Sequence, residues 1–185
     1  MVLDAASRLL VEEGPAALTM RRLATEIGAS TMVLYARFAN REALMGALLD
    51  EGFARFAETL SRVNERDPEE NLRALGRAYR LFVQTNPNYY NLMWRPSSKV
   101  RLPVEPNVEA VAHGQRAFGA LLIAVTRVLA AQDRSAREAE PQAVAIWSLV
   151  HGFCALELAG AMPPDQVEAA YETALAFIVS GLGSP

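Results

Sequence analysis

The segment from Leu18 to Leu44 constrains the fold of this chain most, because it joins two short helical patterns through a tight turn. The second pattern is carried by Leu34 and Phe38, four residues apart, as on one face of a helix. Gly28 lies between the two patterns, where a helix-helix turn requires a residue that tolerates positive φ. Ser30 follows and is a suitable N-cap for the second helix. The spacing therefore predicts a helix-turn-helix.

The second helix of this motif has the size and the surface of a DNA reader. A helix from Thr31 to Phe38 is about 12 Å long, which fits a major groove roughly 12 Å wide. With Leu34 and Phe38 pointing inward, the outward face carries Thr31, Met32, Val33, Tyr35 and Arg37. These side chains suit base edges, thymine methyl groups and phosphates.

Positive charge is concentrated at this motif, although the chain as a whole is acidic. Between residues 18 and 41 four arginines (Arg21, Arg22, Arg37 and Arg41) face one acid, Glu26, a local net charge of +3. The whole chain has a net charge of −3. This distribution argues against a general nucleic-acid coat and favours a local contact with phosphates.

At these residues the sequence resembles the TetR family of transcriptional regulators. The resemblance spans about the first quarter of the chain and is carried by Leu3-Asp4-Ala5-Ala6, Gly14, Leu18-Thr19-Met20-Arg21-Arg22-Leu23-Ala24, Gly28-Ala29-Ser30, Leu34-Tyr35-Ala36-Arg37-Phe38 and Asn40-Arg41-Glu42-Ala43-Leu44. It implies a homodimer that binds double-stranded operator DNA. The residues expected at the DNA are Thr19, Arg21, Arg22, Ser30, Thr31, Met32, Val33, Tyr35, Arg37 and Arg41.

The rest of the chain is predicted to be helical, which makes the fold all-α with about nine helices. Apolar residues recur at helical spacing, and N-cap signals stand at Thr19, Asn40 and Asp67. Besides the two helices of the helix-turn-helix, seven helices are expected, over about 1–13, 40–64, 67–85, 88–94, 108–132, 141–160 and 165–182, with an irregular connection at 95–106. We expect a DNA-binding domain at 1–46 and a ligand-binding and dimerisation domain at 47–185.

Composition limits the setting in which the protein works. Apolar residues make up 51% of the chain, which argues against disorder. No uninterrupted run of eighteen apolar residues occurs, and the first residues do not have the pattern of a secretory signal, so we expect no membrane span. Cys154 is the single cysteine, which excludes an internal disulfide and fits a reducing compartment. The expected location is the cytoplasm.

The helix that follows Pro141 is apolar on more than one face, which predicts burial on more than one side. One side fits the core of the domain, and another fits a subunit interface. Together with the last helix it would form a four-helix dimer interface. Glu157 lies within this apolar stretch and is interpreted as a paired or interface-edge carboxylate. The alternative is a hydrogen-bond partner for a ligand.

Trp147, His151 and Gly152 resemble the WHG-type ligand-binding domain of some TetR-like regulators, and Asn86-Pro87-x-Tyr89-Tyr90 fits the same resemblance. The candidate ligand contacts are Tyr90, Met93, Trp94, Phe118, Trp147 and His151, which would bind a small apolar effector. A structural interpretation stays open: His151 is then a core histidine, most of the aromatic cluster is core, and the glycines of this helix allow close helix packing.

No metal site, cofactor or catalytic residue is expected. His151 and Cys154 are three residues apart, but His113 is the only other histidine and no second cysteine exists, whereas a structural zinc needs four ligands. Burial in an apolar helix raises the pKa of a thiol and makes it inert. An enzyme built on this pair is therefore not expected.

Taken together, the sequence predicts a ligand-responsive DNA-binding transcriptional regulator. It would act as a repressor, bind a palindromic operator as a dimer and be released by the effector. The alternative is a helical small-molecule sensor that acts through a protein partner without binding DNA. The local charge of +3 argues against that alternative.

Overall fold

A computed structural model describes residues 2–94 and 107–182. Over these residues the regular structure is helical, which confirms the all-α prediction. The helices are α1 (Val2–Glu13), α2 (Met20–Glu26), α3 (Thr31–Arg37), α4 (Arg41–Ser61), α5 (Pro68–Thr85), α6 (Pro87–Trp94), α7 (Val108–Ala131), α8 (Ala139–Leu158) and α9 (Val167–Leu182). A short 3-10 helix, Ala136–Glu138, replaces part of the loop predicted before α8. The connection predicted at 95–106 lies outside the described residues.

The predicted N-caps of α2, α4 and α5 are confirmed by hydrogen bonds to free backbone amides, which the first turn of a helix leaves unsatisfied. The amide of Arg22 donates to Thr19 Oγ1 (3.1 Å), that of Ala43 to Asn40 Oδ1 (2.8 Å) and that of Glu70 to Asp67 Oδ1 (2.8 Å). Ser30 occupies the N-cap position of α3, but its side chain makes no capping hydrogen bond. The start of α3 therefore depends on packing more than on its cap.

The first compact unit comprises residues 1–55 and 86–114. It contains the helix-turn-helix, and Gly28 adopts φ +65° at the turn, as predicted. Its core is formed by side chains from α1 to α4, among them Leu10, Leu23, Leu34, Phe38 and Leu44. The period-3.6 stripes of the sequence are thus the buried faces of these short helices.

Helix α6 belongs to this first unit and packs against α1. One carboxylate oxygen of Asp4 accepts from Arg55 at 2.8 Å and from the Tyr89 hydroxyl at 3.3 Å. The Arg55 guanidinium lies 4.7 Å from the centre of the Tyr89 ring. Compactness therefore groups α6 with the N-terminal helices, unlike the predicted division at residue 46, which stays a prediction about the limits of the DNA-binding domain.

The second unit comprises residues 56–85 and 115–185 and is organised around an ion pair. Arg80 on α5 is only 6% exposed and donates to both carboxylate oxygens of Glu157 on α8, at 2.8 and 2.9 Å. It also donates to Glu168 on α9. The prediction that Glu157 is a paired carboxylate is confirmed, and α5, α8 and α9 meet at this guanidinium.

Helix α5 approaches α9 closely at Gly76. A Cβ atom there would lie 2.4 Å from a Leu175 methyl group, closer than van der Waals contact permits. The Tyr171 hydroxyl donates to the carbonyl oxygen of Gly76 at 2.5 Å. A larger residue at this crossing would therefore require the Leu175 side chain to move.

Helix α7, with 24 residues, is long and apolar enough to cross a membrane by length and composition alone. Core helices of water-soluble domains share this property, so one such helix is weak evidence for a span. The prediction of no membrane span stays a prediction.

Replacing Arg80 by alanine is expected to destabilise the protein by about 3–5 kcal/mol, because Glu157 then keeps a partly buried charge without its partner. Arg77 is the matched control. It lies one turn earlier on α5 and pairs with Glu70 and Glu172, but its side chain is 44% exposed. Arg77→Ala is expected to cost less than about 1 kcal/mol. Urea unfolding at one protein concentration measures both values, and equal losses would contradict the central role of Arg80.

Candidate nucleic-acid interface and ligand-binding residues

The outward face of α3 is exposed as predicted. The exposed fractions of Met32, Val33 and Tyr35 are 79%, 58% and 56%. Thr31 and Arg37 are exposed as well. Because Leu34 and Phe38 are buried, the rotation of this short helix about its axis is fixed. The five candidate reader residues consequently share one solvent-facing surface.

The charge available to phosphates is smaller than the sequence count, because two of the four arginines bind other protein groups. Arg22 donates to Glu13 at 2.7 Å and to Glu26 at 2.8 Å. These two carboxylates raise the pKa of Arg22 and offset its charge. Glu13 ends α1 and was missed by the count, which began at residue 18. Arg22 is therefore a weaker candidate for a phosphate contact than the sequence indicated.

Arg41 is the second of these arginines. Its Nε donates to the carbonyl oxygen of Leu18 at 2.9 Å, and Nη2 donates to that of Pro15. The side chain is half-buried and ties the start of α4 to the segment between α1 and α2. The observed contacts of Arg41 are structural, and its contact with a phosphate stays a prediction.

Arg21 and Arg37 have exposed positions that leave them suited to phosphate contact. The Arg37 guanidinium lies 5.4 Å from the centre of the Phe38 ring, which positions it at the end of α3. Ser30 and Thr19 are exposed beside the motif, although the Thr19 hydroxyl is used in capping α2. The cationic contacts of the interface thus depend on Arg21 and Arg37.

The six candidate ligand residues fall into two groups, one in each compact unit. Phe118, Trp147 and His151 adjoin one another in the second unit: the Phe118 and Trp147 ring centres are 5.8 Å apart, and those of Trp147 and His151 are 6.4 Å apart. All three are half-buried. This group has the mixture of aromatic and polar atoms that ligand pockets contain.

The other three residues, Tyr90, Met93 and Trp94, lie on α6 in the first unit. Tyr90 is fully buried, and its ring centre is 5.3 Å from that of Trp94. Phe53 packs edge-on against Trp94 at 5.7 Å. Met93 contacts the position where a Cβ of Gly52 would be, with its sulfur 3.0 Å away. Tyr90 is therefore a core residue of its unit, as the structural interpretation held.

His151 forms a hydrogen bond that sequence reasoning did not anticipate. Its Nδ1 lies 2.8 Å from the Tyr79 hydroxyl on α5. Burial lowers the pKa of His151, so the imidazole is neutral at neutral pH. The sequence does not indicate this pair, because Tyr79 and His151 are 72 residues apart. The neutral imidazole lies beside Trp147 and Phe118. It can donate one hydrogen bond to, or accept one from, a polar atom of an otherwise apolar molecule.

Cys154 is fully buried, and its burial raises the pKa of the thiol to about 12. A thiol with this pKa is protonated at neutral pH and a poor nucleophile. Among residues 2–94 and 107–182 no group of three or more His, Cys, Asp and Glu side chains is arranged to hold a metal ion.

A groove of about 350 Å³ lies between the outer faces of α8 and α9. Its lining is mostly apolar and carries no charged side chain: Leu149, Val150, Phe153, Leu156, Tyr171, Ala174, Leu175, Phe177 and Ile178. Leu149, Leu156 and Phe177 are more than half exposed, and Phe177 reaches 72%. An uncharged surface of this kind, across the two helices predicted to form the interface, is typical of an association surface.

Two family models match the chain. The model described as "Bacterial regulatory proteins, tetR family" covers residues 2–48, and "Tetracyclin repressor-like, C-terminal domain" covers residues 72–178. The second match alone includes more than half of the chain.

Relatives and solved structures agree with these matches. An uncharacterised HTH-type transcriptional regulator from Mycobacterium tuberculosis is 25% identical over an alignment of 185 positions, which covers 98% of this chain and 79% of that protein. The class D tetracycline repressor from Escherichia coli is 32% identical over 109 residues, 57% of this chain and 45% of the repressor. The fold is similar to a protein of unknown function from Rhodococcus sp. RHA1 (TM-score 0.81, 25% identity, 99% and 94% coverage) and to Bacillus subtilis FadR in complex with stearoyl-CoA (TM-score 0.73, 17% identity, 97% of each chain).

Arg41→Ala is expected to lower the free energy of unfolding by about 1.5–3 kcal/mol, as for hydrogen bonds from a charged group. Arg21→Ala, which removes an exposed arginine of the same motif, is the matched control. It is expected to leave stability within about 0.5 kcal/mol while lowering DNA affinity. Thermal and urea unfolding compare the two variants. An unchanged melting curve for Arg41→Ala would refute its structural role.

The stability of the protein is expected to depend on His151 as the pH falls. Because its pKa in the folded protein is below that of the unfolded chain, near 6.5, the unfolded state takes up the proton first. The native protein should therefore lose stability relative to His151→Gln as the pH falls from about 7 to 5. Tyr79→Phe, which keeps the imidazole, should retain the native slope. Parallel curves of unfolding free energy against pH for the native protein and His151→Gln would contradict this prediction.

Proposed function

Because the chain belongs to the TetR family of bacterial transcriptional regulators, we propose that it is a ligand-responsive repressor that binds a palindromic operator as a homodimer. The observation that carries the proposal is the exposed face of α3, held in place by the burial of Leu34 and Phe38. Regulators of this family bind DNA, dimerise and bind small molecules. Its members are regulators and not catalysts, and we place this protein in the cytoplasm.

In this proposal each subunit inserts α3 into the major groove. Thr31, Met32, Val33 and Tyr35 meet base edges, while Arg37, Arg21 and Ser30 are directed to the backbone. Two-fold symmetry requires half-sites about 34–36 Å apart, or a multiple of this distance. Exposed apolar side chains on a helix of groove-fitting size support this assignment over a solvated surface helix, on which such residues are unfavourable.

The homodimer is proposed to form through α8 and α9. Their apolar groove would be covered by the same two helices of a second copy, as a two-fold axis requires. Four helices would then pack together, with Leu149, Leu156 and Phe177 at the centre. The apolar lining and the high exposure of these three side chains support this surface.

The effector is proposed to be a small, largely apolar molecule bound beside Phe118, Trp147 and His151. Trp94 and Met93 are retained as candidates on α6. Bacillus subtilis FadR, which shares the fold, was crystallised in complex with stearoyl-CoA, a molecule with a long apolar chain. The Tyr79–His151 pair would provide the hydrogen-bonding group of the effector site.

Release from DNA is proposed to involve α4, because the division between the compact units falls within this helix, after Arg55. An effector that prefers a shifted position of α4 would change the spacing of the two readers. A coupling free energy of about 1–3 kcal/mol corresponds to a roughly 5- to 150-fold change in operator affinity.

Selection of bound duplexes from a random DNA pool tests the proposal, with Tyr35→Ala as the control variant. A palindromic sequence recovered by the native protein and lost by Tyr35→Ala supports a dimeric reader, provided that both proteins have the same melting curve. Failure to enrich any sequence, even at low salt, would remove the DNA-binding proposal and favour a sensor that acts through a protein partner.

Phe177→Glu is expected to convert the dimer to a monomer, because it places a charge at the centre of the apolar groove. Leu81→Glu is the matched control, since Leu81 on α5 is 55% exposed but does not line the groove. Light scattering and sedimentation at several concentrations give the mass of each variant. A dimeric Phe177→Glu protein with native affinity between subunits would exclude this interface.

A further inference from the structure

The middle of the outward face of α3 carries no hydrogen-bonding side chain, which is unusual for a helix that reads DNA. With about 3.6 residues per turn, Met32 and Ala36 lie opposite the buried Leu34. Val33 flanks them on one side and Tyr35 on the other. The two side chains that protrude farthest from the core are therefore apolar: Met32 ends in a thioether, and Ala36 is a methyl group.

The composition of α3 excludes the usual side chains for two of the four bases. Adenine is commonly read by Asn or Gln, and cytosine by Asp or Glu. The sequence TMVLYAR contains none of these four residues. Guanine is commonly read by arginine, but Arg37 is the last residue of α3, whereas base contacts come from the N-terminal part of a recognition helix.

Besides the hydroxyl of Thr31, which can hydrogen-bond to more than one base, the chemistry at the N-terminal part of α3 is apolar contact. In the major groove the one apolar group that distinguishes a natural base is the C5-methyl of thymine. Met32 and Val33, both more than half exposed in the first turn of α3, offer matching surfaces. Contact between such a methyl group and a thioether or isopropyl group removes apolar surface from water, which stabilises the complex.

We propose that Met32 and Val33 determine operator specificity by contacting thymine C5-methyl groups, so that each half-site contains thymine where these side chains enter the groove. This inference rests on the proposed DNA-binding function and names what the reader recognises. The arginines then fix the register, Thr31 and Tyr35 meet neighbouring base edges, and the methyl contacts select thymine.

The test removes the methyl group without changing base pairing. In the duplex recovered by selection, each thymine is replaced in turn by uracil, and affinity is measured at one salt concentration. Burial of one methyl group corresponds to a roughly fourfold change in affinity. We expect a loss of this size at one or two symmetry-related pairs of positions, and no loss at the other thymines.

A second series assigns the loss to the protein residues. In Met32→Ala and Val33→Ala, both exposed helix positions that tolerate alanine, the same uracil replacement should have no further effect at the position that each residue contacts. Arg37→Ala is the control: it should weaken binding to the thymine and uracil duplexes by the same factor. Native melting curves for all three variants show that the fold is retained.

The outcomes separate this inference from the proposed function. A selected operator whose affinity is unchanged by every uracil replacement overturns methyl recognition but leaves DNA binding intact. A uracil effect of equal size in the native protein, Met32→Ala and Val33→Ala also overturns it. Absence of any selected duplex is instead the failure of the proposed function.

Discussion

The burial of two side chains, Leu34 and Phe38, is the constraint on which the DNA-binding surface depends. A helix of seven residues is far too short to be stable alone in water. Ser30 gives it no side-chain cap, so its stability comes from packing against α2 and the rest of the first unit's core. The same packing fixes the rotation of α3, and thereby decides which residues face the solvent. Recognition chemistry is in this sense a consequence of core packing.

The arginines of this chain show that one residue type takes different roles according to burial and neighbours. Arg80 is buried and joins three helices through two carboxylates, whereas Arg41 is half-buried and holds backbone carbonyls. Arg22 is paired with two glutamates at the surface. Only the exposed Arg21 and Arg37 remain suited to a phosphate. A charge count along the sequence therefore overestimates the positive charge that is available to phosphates.

Local patterns predicted most of the fold. Helix positions followed from periodicity, and three helix starts followed from caps whose partners are three residues away. The exposed face of α3 could be predicted for the same reason, since 3.6-residue geometry determines it once the buried stripe is known.

The pairs Tyr79–His151 and Arg80–Glu157 could not be predicted, because more than seventy residues separate their members. The membership of α6 in the first unit also depends on long-range contacts, those of Tyr89 with Asp4 and Arg55. Sequence could place Tyr90 and Trp147 among aromatic candidates, but it could not assign them to different units.

The buried ion pair and the apolar groove lie on the same two helices, and the first orients the second. On α8, Glu157 faces Arg80, and the neighbouring Leu156 is thereby turned outward with Leu149. On α9, Glu168 reaches the same guanidinium, while Phe177, more than two turns farther along, remains exposed. Rotation of α8 about its axis would remove Glu157 from Arg80, so the apolar outer face stays at the surface. This arrangement explains why α8, which is apolar on most sides, is not simply buried. Glu157 is used inside the domain, and the outer apolar surface is the one proposed for association with a second copy of the chain.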